Sequence, residues 1–169
     1  MRGWAAQVVA GSLFLAGCAS GNTGRVANGT FSSTKGYQVR LPPAGWNVTA
    51  NPNADLTLRR AAPSGTMLVD ASCGGAELDR SLPVLARQLT VGLTNRQTVE
   101  SDTWTIGTHT AAHRVIRGRS DGADVMVEAV VLKGERCVHD FLYVAPPADF
   151  ENGRQDFRRL VESFAGARR

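Results

Sequence analysis

Residues 124–145 read DVMVEAVVLKGERCVHDFLYVA and contain two apolar runs separated by a polar connection that includes Lys133-Gly134. Both runs are rich in valine, leucine and aromatic residues, a composition typical of β-strands. A Lys-Gly pair between two such runs indicates a tight turn. The stretch therefore predicts a long antiparallel hairpin, and Pro146-Pro147 ends its second strand.

The segments on either side of this hairpin have the periodicity of helices. Downstream, apolar residues lie along one side of a predicted C-terminal helix: Phe150, Phe157, Leu160, Val161 and Phe164. Upstream, leucines spaced at three and four residues predict a central amphipathic helix: Leu78, Leu82, Leu85, Leu89 and Leu93. Asp149 is the candidate N-cap of the C-terminal helix. Asp79 or Ser81 is the candidate N-cap of the central helix, and Pro83 suits its first turn.

Shorter strands are predicted on both sides of the central helix. Their apolar patterns fall at residues 36–42, 54–61, 65–73, 98–107 and 109–120. Asp121-Gly122 is typical of the tight turn that would join the last of these strands to the hairpin. The order of strands, helix, strands and helix predicts an α+β domain with both helices packed on an antiparallel sheet. A chain of 169 residues is long enough for one such domain.

This order of elements, together with a few landmarks, resembles a known fold. A strand leads into LPPAGW at residues 41–46, a meander ends with LKGERCVHDFLYVAPP at residues 132–147, and the last helix ends with LVESF at residues 160–164. The chain resembles the PsbP/Mog1-like fold over roughly residues 31–165, and more narrowly the PsbP-related lipoproteins of bacteria. The resemblance implies an α/β/α sandwich with a central and a C-terminal helix. It also implies a role in binding or assembly rather than in catalysis.

The N-terminus has the pattern of an export signal. Residues 4–16 carry no charge, are mostly apolar and follow a basic residue, Arg2. They are too short to span a bilayer as a helix, which takes about 20 residues, but they suit a secretory signal. Leu15-Ala16-Gly17-Cys18 resembles the lipobox of bacterial lipoproteins. That resemblance implies a diacylglyceryl group on Cys18, cleavage of residues 1–17 as the signal peptide, and acylation of the new amine by a fatty acid such as palmitate.

The residues after the lipobox predict a tether and a location. Residues 18–33 comprise the lipidated cysteine and a stretch rich in Gly, Ser, Thr and Asn, which is typical of a flexible linker. The PsbP/Mog1-like domain is then expected from residue 34 to residue 169. Ala19 stands where Asp would resemble an inner-membrane retention signal. The resemblance to lipoproteins thus implies attachment to the outer membrane, facing the periplasm.

The chain contains three cysteines, and the lipidation of Cys18 would leave Cys73 and Cys137. In an oxidising compartment these two are expected to form a disulfide. Two alternatives involve His139, which lies two residues from Cys137 and so shares its strand face. The three side chains could form a partial metal site, or Cys137 could act as a nucleophile with His139 as its base. Two unpaired thiols are the remaining possibility.

Other candidate sites carry weaker patterns. His109 and His113 lie on one predicted strand, about 13 Å apart along it, which is too far for one metal ion. Arg114, Arg117 and Arg119 lie near one end of a hairpin and could bind phosphate or an anionic partner. Protection of a sheet edge by charge is the interpretation that we favour for these arginines.

These observations predict a non-enzymatic protein. The sequence has no G-x-S-x-G motif after the signal, no P-loop and no dinucleotide-binding motif, and no catalytic residue, metal or cofactor is assigned. A net charge of +4 without a block of basic residues does not indicate nucleic acid binding. We expect a membrane-anchored binding or scaffold module of the cell envelope, with an unidentified envelope protein as partner. The alternative is a carrier of a small molecule or metal ion in a pocket between sheet and helix.

Overall fold

A computed structural model describes residues 23–43 and 45–166. The predicted signal peptide, residues 1–17, and the predicted lipidation site, Cys18, lie outside these residues. No helix within the described part of the chain is long and apolar enough to cross a membrane.

The described residues form strands and helices in the order that the sequence predicts, with additional short strands. The strands are β1 (Gly24–Ala27), β2 (Thr30–Ser33), β3 (Tyr37–Arg40), β4 (Asn47–Val48), β5 (Leu56–Arg60), β6 (Gly65–Cys73), β7 (Thr94–Ile106), β8 (His109–Ser120), β9 (Ala123–Lys133), β10 (Cys137–Ala145) and β11 (Ala165–Gly166). The helices are α1 (Leu82–Gln88) and α2 (Phe150–Glu162), and a short 3₁₀ helix covers Ala76–Asp79.

Two antiparallel sheets organise the domain. The larger has seven strands in the order β4-β5-β6-β10-β9-β8-β7, and the smaller has four in the order β1-β2-β3-β11. The predicted hairpin of β9 and β10 lies inside the larger sheet, where Phe141 is opposite Val130 on one side and Val69 on the other. All three side chains are inaccessible to solvent. The prediction of an α+β fold with an antiparallel sheet and two helices is confirmed.

The two helices lie on opposite faces of the larger sheet. The main core includes side chains from α2, from both sheets and from the segment that follows α2, among them Tyr37, Phe141, Tyr143, Phe157 and Phe164. A second core under α1 contains Leu85, Ala86, Ala112, Val131 and Val138. Alternation along each strand explains this division, because Ala111 belongs to the main core and its neighbour Ala112 to the second. Helix, sheet and helix therefore form the layers of an α/β/α sandwich.

The connection between β8 and β9 has the predicted turn chemistry. Asp121 and Gly122 both have positive φ, at 50° and 80°. A two-residue turn of this kind matches the twist of the flanking strands, and Asp-Gly is among the sequences that adopt it readily. The turn fixes the register in which Ser120 pairs with Ala123.

The predicted flexible tether of residues 18–33 is wrong from Gly24 onward. Strands β1 and β2 pair across a turn at Asn28-Gly29, where φ is 49° and 70°. Phe31 is buried and packs against the ring of Tyr37, so this hairpin is part of the domain. The domain thus begins before residue 34. Asn-Gly is a strong hairpin signal, and it outweighs the Gly- and Ser-rich composition of the segment.

The central helix is shorter than the leucine spacing predicts. Leu78 belongs to the 3₁₀ helix, and Leu93 lies beyond Gln88, the last residue of α1. Ser81 is at the N-cap position without a side-chain capping bond, and Pro83 is in the first turn as predicted. The C-terminal helix agrees more closely with its prediction. Asp149 occupies its N-cap position, but its carboxylate accepts a hydrogen bond from the Ser64 amide instead.

Candidate functional site

A buried histidine lies between two carboxylates on the sheet face that packs against α2. His113 of β8 is 1% exposed, and its Nδ1 lies 2.5 Å from Oδ1 of Asp102, its cross-strand neighbour on β7. Its Nε2 lies 2.8 Å from Oε1 of Glu128 on β9. A neutral imidazole carries one N–H, so two carboxylate acceptors indicate the imidazolium form. Burial disfavours that charge, but the hydrogen bonds to Glu128 and Asp102 outweigh it and raise the pKa of His113.

Arg154 connects helix α2 to this histidine through Glu128. Its Nε donates to Glu128 Oε2 at 3.1 Å, and its Nη2 donates to Oε2 of Glu100 on β7 at 2.5 Å. Both oxygens of the buried Glu128 are therefore hydrogen-bonded to cationic groups. We name Glu100, Asp102, His113, Glu128 and Arg154 the charged cluster.

An aromatic ring separates the charged cluster from an arginine at the surface. Trp104 of β7 stacks on His113, with ring centroids 4.0 Å apart and an angle of 17° between the planes. The guanidinium carbon of Arg158 lies 4.9 Å from the Trp104 ring centroid, within cation–π distance. Beside these side chains is a groove of about 260 Å³, which is also lined by Ile106 and Glu162.

In the charged cluster, neither ring nitrogen of His113 is free. A general base needs a nitrogen lone pair, and both nitrogens of His113 are engaged with carboxylates. The partners of the His113 ring that the structure describes include no serine, threonine or cysteine side chain. What the arrangement does is to fix β7, β8, β9 and α2 in one relative position.

A cavity of about 280 Å³ lies on the opposite face of the sheet, between α1 and strands β7 and β8. Arg114 lines this cavity because it is adjacent to His113 in a strand and so points to the other face. Arg87 of α1 lines the cavity from the helix side. Burial and the charges of Arg87 and Arg96 lower the pKa of Arg114. The cavity is thus a positively charged site that three elements form together.

Cys73 and Cys137 form a disulfide, as the sequence predicts. They are cross-strand partners on β6 and β10, so the bond joins two neighbouring strands. In this oxidised form neither sulfur is a thiolate, which removes the metal-ligand and nucleophile alternatives for Cys137 with His139. His139 is buried beside Tyr37, and burial together with the charges of His109 and Lys35 lowers its pKa to about 4.

The structure separates the other residues that the sequence singles out. His109 Nδ1 donates to the Lys133 carbonyl at 3.1 Å, whereas His113 belongs to the charged cluster. Within residues 23–43 and 45–166, no three His, Cys, Asp or Glu side chains are grouped so that they could hold a metal ion.

The three arginines of β8 do not form one site. Arg114 lines the cavity, and Arg117 is exposed. The Nε of Arg119 lies 3.3 Å from Oδ1 of Asp124, with which it forms a salt bridge. Strand β8 is inside the sheet, and the strand at its edge is β7. The interpretation of these arginines as edge protection is therefore wrong for their strand.

The carboxylates and the arginine of the charged cluster are not among the site residues predicted from the sequence. One signal was available in the stretch VMVEAVVL, where Glu128 interrupts an apolar strand and so requires a buried partner. A second signal was the spacing of Arg154, four residues after Phe150 and three before Phe157. That spacing places Arg154 on the buried face of its helix.

Comparisons with solved structures agree with this architecture. Cyanobacterial PsbP (CyanoP) from Synechocystis sp. PCC 6803 superimposes with a TM-score of 0.59 and 15% sequence identity, over 81% of this chain and 91% of that one. The chain has a PsbP-like fold. LpqN of Mycobacterium tuberculosis, a protein involved in cell envelope biogenesis, matches the PsbP-like domain with a TM-score of 0.57 and 13% identity, over 78% of this chain and 83% of that one.

A third structure with this fold is a protein of unknown function from Pseudomonas aeruginosa. It matches the PsbP-like domain with a TM-score of 0.50 and 18% identity, over 78% of this chain and 92% of that one. No family model and no curated protein matches the sequence. At these identities the similarity defines the fold of the PsbP-like domain and assigns none of its residues a role.

Proposed function

We propose that the chain is a non-enzymatic binding module of the bacterial cell envelope, anchored by lipid on Cys18. In this proposal it binds an extended segment of an envelope protein along the outer edge of β7. The fold that it shares with an envelope-biogenesis protein, LpqN, supports the location. The lipobox-like sequence at residues 15–18 supports the anchor.

The docking role is inferred from the position of strand β7 at the edge of the larger sheet. It is the last strand of the seven-stranded sheet, and β8 is its one neighbour in the part of the chain that the structure describes. Its first half has register irregularities between Thr94 and Glu100, a feature that protects an edge from pairing. From Ser101 to Ile106 the register is regular, and most side chains are exposed. A free regular edge of this kind accepts an added strand through main-chain hydrogen bonds.

Photocrosslinking along β7 tests the docking role. A photoreactive residue placed at Thr103, in the regular half, should crosslink one envelope protein in membranes of the native host, as mass spectrometry would show. The same group placed at Val99, which is exposed in the irregular half, is the matched control. With the photoreactive residue kept at position 103, Thr105→Lys in the regular half should abolish the crosslinked complex and Val99→Lys should not, because a lysine on an edge opposes strand pairing. Equal crosslinking at both positions would contradict the docking role.

Metabolic labelling tests the anchor separately. We expect radiolabelled palmitate to be incorporated into the wild-type chain. The Cys18→Ser chain should instead be found in the soluble fraction. One acyl chain gives only marginal membrane binding, whereas the several chains of a lipoprotein hold it firmly. A Cys18→Ser chain that is still processed and still sediments with membranes would remove the lipid anchor from the proposal.

A carrier of a small molecule is the second candidate function. The cavity between α1 and strands β7 and β8 favours it, since it occupies the position between sheet and helix that a carrier would use. Intact-mass analysis of the chain purified from its host would test this candidate by revealing a retained ligand.

A further inference from the structure

The cavity between α1 and β7–β8 combines charge, hydroxyl groups and an apolar wall. Strand positions 101 and 103 of β7 lie opposite positions 114 and 112 of β8, so their side chains share the face beneath α1. The hydroxyl groups on this floor come from Ser101, Thr103 and Thr110. The apolar part of the lining comes from Leu82, Pro83 and Ala112.

Two arginines of different elements line the same cavity. Arg87 belongs to α1 and Arg114 to β8, and a third arginine, Arg96, is close enough for its charge to act on Arg114. None of the three has a salt bridge to a carboxylate among residues 23–43 and 45–166. Arg114 donates to the Thr98 hydroxyl and Arg96 to the Thr90 carbonyl, which are both neutral acceptors.

The one acidic residue among those that line the cavity does not neutralise these arginines. Asp102 also lines the cavity, but its carboxylate is bound to His113 in the charged cluster on the other face. Three like charges without a counter-charge repel one another. A bound anion would stabilise most strongly a half-buried guanidinium such as that of Arg114. The uncompensated charge therefore indicates a ligand that supplies more than one negative charge.

We propose that this cavity binds the phosphate group of a small phosphate monoester. The dianion would accept hydrogen bonds from Arg87 and Arg114, for which guanidinium geometry is well suited. The hydroxyl groups on the floor would donate to its remaining oxygens, and the rest of the ligand would pack on the apolar wall. The proposal supplies a ligand class for the carrier function and does not depend on the docking role of β7.

Phenyl phosphate is a suitable probe, because it joins a dianionic head to a small apolar group. The full-length chain in non-ionic detergent would be titrated with phenyl phosphate, up to about 10 mM, while backbone amide shifts are followed by NMR. We expect saturable shifts at residues 101–103 and 110–114. Phenol, which lacks the phosphate, should not produce them.

Three variants distinguish binding of phenyl phosphate in the cavity from binding to surface charge in general. Arg87→Gln and Arg114→Gln should each weaken binding of phenyl phosphate about tenfold, because each removes a charge-assisted hydrogen bond. Arg117→Gln is the matched control, since Arg117 is an exposed arginine on the same strand and does not line the cavity. Arg87 is itself exposed, so its replacement should not disturb folding, and far-UV circular dichroism would verify this.

A membrane-bound protein also meets phosphate in lipid headgroups. Shifts at the cavity residues with phenyl phosphate would support a soluble ligand. The same shifts with vesicles of phosphatidic acid alone would support a headgroup as the natural source of the phosphate. Absence of shifts with either probe, or equal weakening by Arg117→Gln, would overturn the phosphate site. Retention of an uncharged ligand by the chain from its host would overturn it too, while leaving the carrier function intact.

Discussion

At the scale of single residues, the titratable groups buried in the sheet have shifted pKa values for two different reasons. His113 is held as a cation by two carboxylates, and the hydrogen bonds to them raise its pKa. Asp140 of β10 lies opposite Asp70 of β6, and burial followed by the charges of Asp70 and Glu77 raises its pKa to about 7. Lys35 neutralises part of this acidic region, because its Nζ lies 3.0 Å from Asp70 and 2.8 Å from Asp55.

The charge of His113 should make the stability of the domain depend on pH above 6.5. Its folded-state pKa is raised above the ordinary value of 6.5. The stabilisation is therefore complete below pH 6.5 and is lost as the pH rises through the folded-state pKa. Urea unfolding of the wild type should show a falling free energy of unfolding over this range. His113→Gln should remove that part of the dependence, and an unchanged pH profile in the variant would show that His113 does not titrate as inferred.

Asp140 should make the domain less stable as the pH rises, because its carboxyl group ionises more readily in the unfolded chain than in the folded one. Its pKa is about 7 when folded and 3.8 in the reference state, so stability falls as the pH rises between these values and then levels off. Asp140→Asn should therefore stabilise the domain at pH 8 by about 2 kcal/mol and have little effect at pH 3. Thermal unfolding at both pH values measures this difference. Asp79→Asn, an exposed carboxylate in the 3₁₀ helix, should change neither melting temperature.

At the scale of elements, helix α2 is attached to the sheet by an aromatic stack and by the charged cluster. The ring of Tyr143 on β10 stacks on Phe150 and Phe157, with centroids 5.2 Å and 5.9 Å away. The Tyr143 hydroxyl donates to the Phe150 carbonyl at 3.0 Å. The helix backbone can approach the ring so closely because residue 153 is a glycine.

Gly153→Ala should destabilise the domain although alanine favours helices by about 1 kcal/mol over glycine. A Cβ at this position would overlap the Tyr143 hydroxyl and ring, and Tyr143 is fully buried and cannot move aside. We expect a net loss of about 1–3 kcal/mol in the free energy of unfolding, measured with urea. Asn152→Ala, at an exposed position of the same helix, should be neutral or slightly stabilising. A stabilised Gly153→Ala variant would mean that α2 can shift away from β10.

At the scale of the whole molecule, the seven-stranded sheet separates two different surfaces. The face toward α2 holds the charged cluster and most of the core, and the face toward α1 holds the positively charged cavity. The disulfide joins β6 to β10 near the ends of both strands, next to the 3₁₀ helix that leads to α1. It constrains the chain segment that carries α1, β7, β8 and β9, which all lie between its two cysteines.

Removal of the disulfide should therefore lower the stability of the domain as a whole. The cysteines are separated by 64 positions, and losing a bond that closes such a loop costs about 2–5 kcal/mol. Urea unfolding of the Cys73→Ala, Cys137→Ala double variant should show this loss. A reducing agent should lower the stability of the wild type by a similar amount and leave the double variant unchanged. Equal stability of both proteins in oxidising buffer would show that the bond is not structural.

The sequence by itself determined the features that depend on local pattern and on counting. Alternation within residues 65–73 and the run at residues 124–145 predicted strands that the fold contains, and the apolar spacing from Phe150 predicted α2. Counting three cysteines predicted the bond between Cys73 and Cys137. These predictions succeed because each depends only on the pattern within one chain segment or on the number of cysteines.

Only the tertiary structure decided which distant residues meet. Glu100, His113, Glu128 and Arg154 come from three strands and a helix, and none of these segments shows on its own which partners it will face. The cavity likewise exists only after α1 has packed beside β8, with its arginines brought in from separate segments. Strand register and the side of the sheet on which each helix packs set these contacts. Both are fixed by burial of the whole core rather than by local sequence, because a shift of one residue in a strand would exchange its two faces.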